Sequence, residues 1–176
     1  QFSSRIIVPY KARYCYLNNL SKKDVIQIVL WMRGIAFDRK GQLDDAIADF
    51  SKCIELNPKF ADPYASRASA NSRKKEYAKA IADYKKYMEI FPEGRHLPEI
   101  MNFLGYYHLK GFGVKQNDRE AVNWFRQSAE RGFAEAEYNL GLVYQKGTGV
   151  DKDDKEAVKW FSRAADRGHA ASQFYL

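Results

Sequence analysis

The sequence predicts an all-α, right-handed superhelix of stacked helical hairpins, a solenoid, and two observations carry the prediction. First, residues 101–136 laid over residues 137–172 match Leu104 with Leu140, Gly105 with Gly141, Gly111 with Gly147 and Gly113 with Gly149. The same alignment matches Ala121 with Ala157, Trp124 with Trp160, Phe125 with Phe161 and Gly132 with Gly168. Second, "LDDAIADFSKCIELNP" at 43–58 lies over "YAKAIADYKKYMEIFP" at 77–92, and Gly34 shares its place with Ala68. Self-similarity at a fixed period of about 20–50 residues marks units that cannot bury an apolar face alone and therefore stack on their neighbours.

Taken in order, residues 1–20 match neither repeat. Tyr10, Tyr14 and Leu17 have helical spacing after Pro9, and Ile6, Ile7 and Val8 can cover an open apolar face. This segment is expected to cap the solenoid, the alternative being a tail that pairs with another protein. Ser21 with Asp24 starts the first repeat helix. Residues 21–94 form two hairpins, each placing a small residue, Gly34 or Ala68, where the facing helix approaches closely. Residues 95–172 form two more around Gly105 and Gly141, and Ala46, Ala80, Ala121 and Ala157 supply the opposing small surface. "QFYL" at 173–176 falls in register with "EYNL" and "MNFL", so a further repeat is expected to begin there.

The pattern L-G-x-x-Y-x-x-G-x-G-V followed by A-V-x-W-F-x-x-A-A-x-x-G resembles the Sel1-like repeat, an α-helical hairpin that stacks into solenoids. The copy around Gly105 departs from it by placing His108 where Tyr144 stands. The upstream pattern of small, small, aromatic and proline, over roughly residues 27–94, resembles the tetratricopeptide repeat. Both resemblances imply a non-catalytic adaptor or scaffold that recognises a protein partner.

The two kinds of unit differ in their connection. From small residue to small residue the upstream units span 12 positions (34 to 46), the downstream units 16 (105 to 121). G-x-G-V fills the extra loop. A phosphate-binding glycine loop needs a strand before it, whereas "MNFLGYYHL" and "EYNLGLVYQ" have helical spacing. The loop therefore turns a corner: Gly111 and Gly147 take the left-handed helix-ending conformation, and Val114 and Val150 tuck back onto the hairpin. Asn117 and Asp153 then cap the next helix, with Glu120 and Glu156 completing capping boxes.

Composition narrows the function classes. The 176 residues are 45% hydrophobic and 29% charged, with a net charge of +7. Residues 1–40 hold eight Lys/Arg against Asp24 and Asp38, while from Met101 onward eleven basic residues nearly balance ten acidic ones. A nucleic-acid footprint along the whole length is not expected. "VIQIVLWM", the most apolar run, is far short of the roughly 20 residues needed to cross a bilayer. Cys15 and Cys53 supply no disulfide framework and no four-ligand zinc site, and two free thiols are expected rather than one bridge. His96, His108 and His169 share no motif, "DKDD" at 151–154 lacks the glycine and terminal glutamate of an EF-hand loop, and Trp124, Phe125, Trp160 and Phe161 are core. No catalytic constellation, metal site or cofactor site is expected.

What remains is the face lined by the first helix of each hairpin. One column of that face reads Trp31, Ala65, Asn102, Tyr138, and the next reads Ile35, Ser69, Tyr106, Leu142. A third reads Arg39, Arg73, Lys110, Lys146. The candidate partner-binding residues are accordingly Trp31, Ile35, Arg39, Ser69, Arg73, Asn102, Tyr106, Lys110, Tyr138 and Lys146. The cations suit the negative ends of their helices by roughly 0.3–1 kcal/mol each, and the same ladder lines a groove for an extended or helical acidic-hydrophobic segment. Trp31 is either a binding anchor or buried by the N-terminal cap. The positions at which some tetratricopeptide domains clamp a chaperone's C-terminal carboxylate carry Trp31, Ile35, Ala65 and Ser69, so no such clamp is expected. Two other classes stay open: a structural subunit of a large assembly, and RNA binding through the basic N-terminal third.

Overall fold

The computed structural model describes residues 21–175, which are helical throughout apart from short connections, with no strand among them. Eight α-helices follow one another: α1 (Lys22–Arg39), α2 (Leu43–Leu56), α3 (Asp62–Arg73), α4 (Tyr77–Ile90), α5 (Leu97–Lys110), α6 (Asp118–Glu130), α7 (Ala134–Lys146) and α8 (Asp154–Asp166). A 3₁₀ turn at Ala170–Tyr175 follows. Helices pair as α1/α2, α3/α4, α5/α6 and α7/α8, and each hairpin packs on the next. The result is the all-α superhelix expected. The proposed cap at residues 1–20, and Cys15 within it, lie outside the described residues.

Local chemistry sets the helix boundaries. Ser21 and Asp24 form a reciprocal capping box at the start of α1, while Pro63 and Pro98 occupy the first turns of α3 and α5, where proline lacks only an N–H that would be unpaired anyway. Gly111 and Gly147 end α5 and α7 at φ 69°. Asn117 and Asp153 accept from the amides of Glu120 and Glu156, as expected. The return half of each box is not formed, and Glu156 reaches forward to Lys159 instead. The loops also do more than turn. A Cβ on Gly113 would lie 2.5 Å from the Ala78 amide nitrogen, and one on Gly149 would strike the Asp118 carbonyl. The second glycine of each G-x-G thus lets the loop lie against the second helix of the preceding hairpin.

The glycines of the first helices make room for rings, and a Cβ on Gly105 would also lie 3.1 Å from the carbonyl oxygen of Ala121 opposite it. Gly34 faces Phe50, Gly105 faces Phe125 and Gly141 faces Phe161, and a Cβ on Gly34 would come 2.6 Å from the Phe50 ring. Each of these phenylalanines lies four residues beyond its alanine, and all three are buried. One core runs from Ala61 to Tyr107 across α3, α4 and α5, and a second from Ala121 to Trp160 across α6, α7 and α8. The backbones of α4 and α5 approach less closely than those at the other hairpin junctions. Large side chains fill that junction: Tyr77 stacks on Phe112 at 4.7 Å and Tyr84 on Phe103 at 6.0 Å.

Candidate partner-binding groove

Two hollows lie along the first helices α1, α3, α5 and α7. The first, of about 250 Å³, is lined by Trp31, Ile35, Arg39 and Ser69 together with Phe103 and the carboxylates of Asp38, Asp62 and Glu99. The second, of about 350 Å³, brings Tyr106, Lys110 and Lys146 together with Leu109 and Leu142. Residues 99, 103, 106 and 110 follow helical spacing along one stripe of α5, so the two hollows share a wall.

Trp31 is held by the second hairpin. Its indole N–H donates to Ser66 Oγ at 3.2 Å and its ring meets Phe60 edge-on at 5.3 Å, so the second hairpin seats it while one side still borders the hollow. Tyr106 is 42% exposed, with the Lys110 ammonium 5.9 Å from its ring centre.

Three expected groove residues serve the stack instead. Arg73 Nη1 donates to Asp38 Oδ1 at 2.6 Å and to the Asp38 carbonyl at 3.0 Å, tying the second hairpin to the first. Asn102 is buried and accepts from Asn139 Nδ2 at 2.9 Å, joining the third hairpin to the fourth. Tyr138 packs between Phe161, His169 and Tyr175, where burial pushes its phenol pKa up.

The sequence reading missed the carboxylates. Asp62, Glu99 and Glu135 each stand six residues before the small residue of their helix, so the counting that found the cations would have found them. Glu135 is taken by His169 Nε2 at 2.8 Å. His169 Nδ1 lies 2.9 Å from Ser172 Oγ, completing a Ser-His-Glu chain. Ser172 is fully buried, however, so no substrate reaches its hydroxyl and the chain fastens the 3₁₀ turn to α7.

Other polar groups are equally committed. Cys53 Sγ donates to the Gln27 carbonyl while Gln27 Nε2 donates to that of Cys53, and burial pushes the thiol up to about 11, so it is no nucleophile near neutrality. Burial holds the His108 pKa below its ordinary value, and Glu137, fully buried where Met101 stands one repeat earlier, lies 3.1 Å from both Arg163 and Arg167. Among the described residues no cluster of His, Cys, Asp and Glu could hold a metal ion, and no helix is long and apolar enough to cross a membrane.

With this geometry established, comparison with known proteins gives the class. The tetratricopeptide repeat models match residues 32–60 and 61–93, and the Sel1 repeat model matches 98–133 and 134–169. The chain belongs to the tetratricopeptide and Sel1 repeat proteins, families that are generally protein-interaction scaffolds and typically non-enzymatic. Among solved structures it is similar to a Sel1 repeat protein from Oxalobacter formigenes, with 24% identity over 93% of this chain and 67% of that one at a TM-score of 0.69. A protective antigen of uropathogenic Escherichia coli displaying an SLR fold also has 24% identity and a TM-score of 0.69, over 92% of this chain and only 34% of the antigen. Helicobacter pylori cysteine rich protein B shares 26% identity over 77% of this chain and 95% of its own length, at a TM-score of 0.54. No curated protein is a significant match.

Proposed function

We propose that this chain is a non-catalytic adaptor that holds a segment of a protein partner across the first-helix face. The observation that carries this reading is the pair of hollows sharing the α5 stripe, where partly exposed apolar side chains are flanked by charge. Ile35, Phe103, Tyr106 and Leu142 supply apolar anchorage, which sets affinity, while the charges around them set orientation and approach. Among the described residues, Cys53, Glu137 and Ser172 are buried, and Glu135 and His169 are paired with each other.

The test is affinity capture of partners from a native extract on the full chain, with and without nuclease, alongside Ile35→Arg and Leu142→Arg variants whose helicity is unchanged by circular dichroism. Proteins retained through nuclease and lost from both variants support the groove. Recovery that vanishes with nuclease overturns it in favour of RNA.

A second reading, a structural subunit held by its end, has its own observation. Val25, Ile26, Ile28, Val29 and Met32 of α1 are each 38–60% exposed. An apolar face of that extent suits a covering element, either residues 1–20 or a neighbouring subunit. Equal capture by both groove variants, abolished by Val29→Lys/Met32→Lys, would favour this reading.

A further inference from the structure

The charges around the groove form two opposed rows. Each first helix from α3 onward opens with a carboxylate, Asp62, Glu99 or Glu135, and every first helix closes with a cation. The helix dipole accounts for acid at one end and base at the other. It does not account for what each charge faces. Asp62, Glu99 and Arg39 line the first hollow, and Lys110 and Lys146 line the second, where the carboxylate of Asp118 accepts from Gln116 Nε2 at 3.0 Å. The stack itself consumes one member of each row, Glu135 through His169 and Arg73 through Asp38. The other five form no ion pair with any described residue.

The rows are eleven residues apart along each helix, or about 16 Å at roughly 1.5 Å per residue. Between them lies the apolar floor. A segment that uses the whole site must point side chains in three directions at once: down into the hollows, toward the carboxylates and toward the cations. A strand offers only two opposite directions, whereas a helix about 10–12 Å across offers all three and fits between the rows.

Resting on the groove reading above, we propose that the partner segment is an amphipathic helix with an apolar stripe between one basic and one acidic flank. The basic flank meets Asp62 and Glu99, and the acidic flank meets Arg39, Lys110 and Lys146. This revises the acidic-hydrophobic segment expected from the cation column alone, because Asp62 and Glu99 of the carboxylate row form no ion pair with a described residue.

The experiment uses four fluorescein-labelled synthetic helices with the same leucine and phenylalanine stripe and differing flanks: Lys on one side and Glu on the other, Lys on both, Glu on both, or Gln on both. Binding to the full chain is measured by anisotropy for the wild type, Asp62→Asn/Glu99→Gln, Lys110→Gln/Lys146→Gln and Ile35→Arg. The mixed-flank helix is expected to bind tightest. Losing two exposed pairs should weaken it about two- to thirtyfold. The carboxylate variant should also weaken the all-Lys helix but not the all-Glu one, and the lysine variant the reverse. Equal binding of all four helices, still lost in Ile35→Arg, overturns the two-row proposal and leaves the groove standing. Binding of none, or binding indifferent to Ile35→Arg, overturns the groove reading itself.

Discussion

The two halves of this solenoid solve one packing problem with opposite chemistry. In the tetratricopeptide hairpins the residue before the small one is Arg33 or Arg67, and the residue three beyond the facing alanine is Asp49 or Asp83. They join as bidentate pairs, Arg33 to Asp49 at 2.6 and 2.7 Å and Arg67 to Asp83 at 2.8 and 2.7 Å. In the Sel1 hairpins the same two places hold Leu104 with Trp124 and Leu140 with Trp160, and these join the apolar cores. The hairpin thus accepts either a fork of charge-assisted hydrogen bonds or a large indole at one location. The ion pair is a local choice rather than a requirement of the fold.

The halves also differ in their turns, and here the largest effect is expected. Gly149→Ala would place a Cβ against the Asp118 carbonyl at a φ of 74°. The left-handed conformation alone costs an alanine about 1–2 kcal/mol, and the backbone contact with α6 forces a further shift. A loss of about 3 kcal/mol or more is expected, read as a lower urea midpoint and faster hydrogen exchange in α7 and α8. Gly113→Ala should behave alike, through Ala78. Gly41→Ala, in the shorter upstream turn with open space around it, should lose only the conformational part. If all three glycine variants cost the same, the loops do not dock on the preceding hairpins.

The ion pairs offer the next largest contrast. The Arg67 side chain is 24% exposed against 57% for Arg33, so removing its partner leaves a less hydrated guanidinium. Asp83→Ala should cost about 2–3 kcal/mol, and Asp49→Ala about 1 kcal/mol, in thermal or urea unfolding. The double change Arg67→Leu/Asp83→Trp installs the other half's solution and should recover most of that loss. A double variant as unstable as Asp83→Ala would show that the two chemistries are not interchangeable at this place.

The period made the fold legible in the sequence, because every unit repeats its small and aromatic positions and the two downstream units repeat their glycines as well. It did not show which side chains reach the next hairpin. Trp31 to Ser66, Asp38 to Arg73 and Ser72 to Tyr107 each span 35 residues, one more than the upstream period, and that offset comes from how the hairpins lean on one another. The column pattern alone therefore cannot separate Arg73, which pairs with Asp38, or Asn102, which accepts from Asn139, from free groove residues. The carboxylates at 62 and 99 were legible, but acid in a first helical turn is explained by the helix dipole alone and so does not mark a groove. Gly34, Gly105 and Gly141 mark the close approaches as the period indicates, but not the rings they admit, because each Phe lies one helical turn beyond its Ala.

The smallest expected effect has the opposite sign and comes from the place where the upstream half breaks its own rule. The first hairpin turns at Gly41, φ 77°, and 34 residues later the second turns at Lys75, φ 63°, the one described non-glycine residue with positive φ. Lys75 is exposed and forms no ion pair with a described residue, so its side chain contributes nothing that offsets the strain. Lys75→Gly removes the steric cost of about 1–2 kcal/mol and loses part of it to the greater freedom of glycine in the unfolded chain. A net gain of about 0.5–1 kcal/mol should appear as a small rise in the unfolding midpoint, with exchange slowed most in α3 and α4. A midpoint unchanged or lowered would mean that the second turn relaxes around its lysine, and that the repeat does not impose one turn geometry on both hairpins.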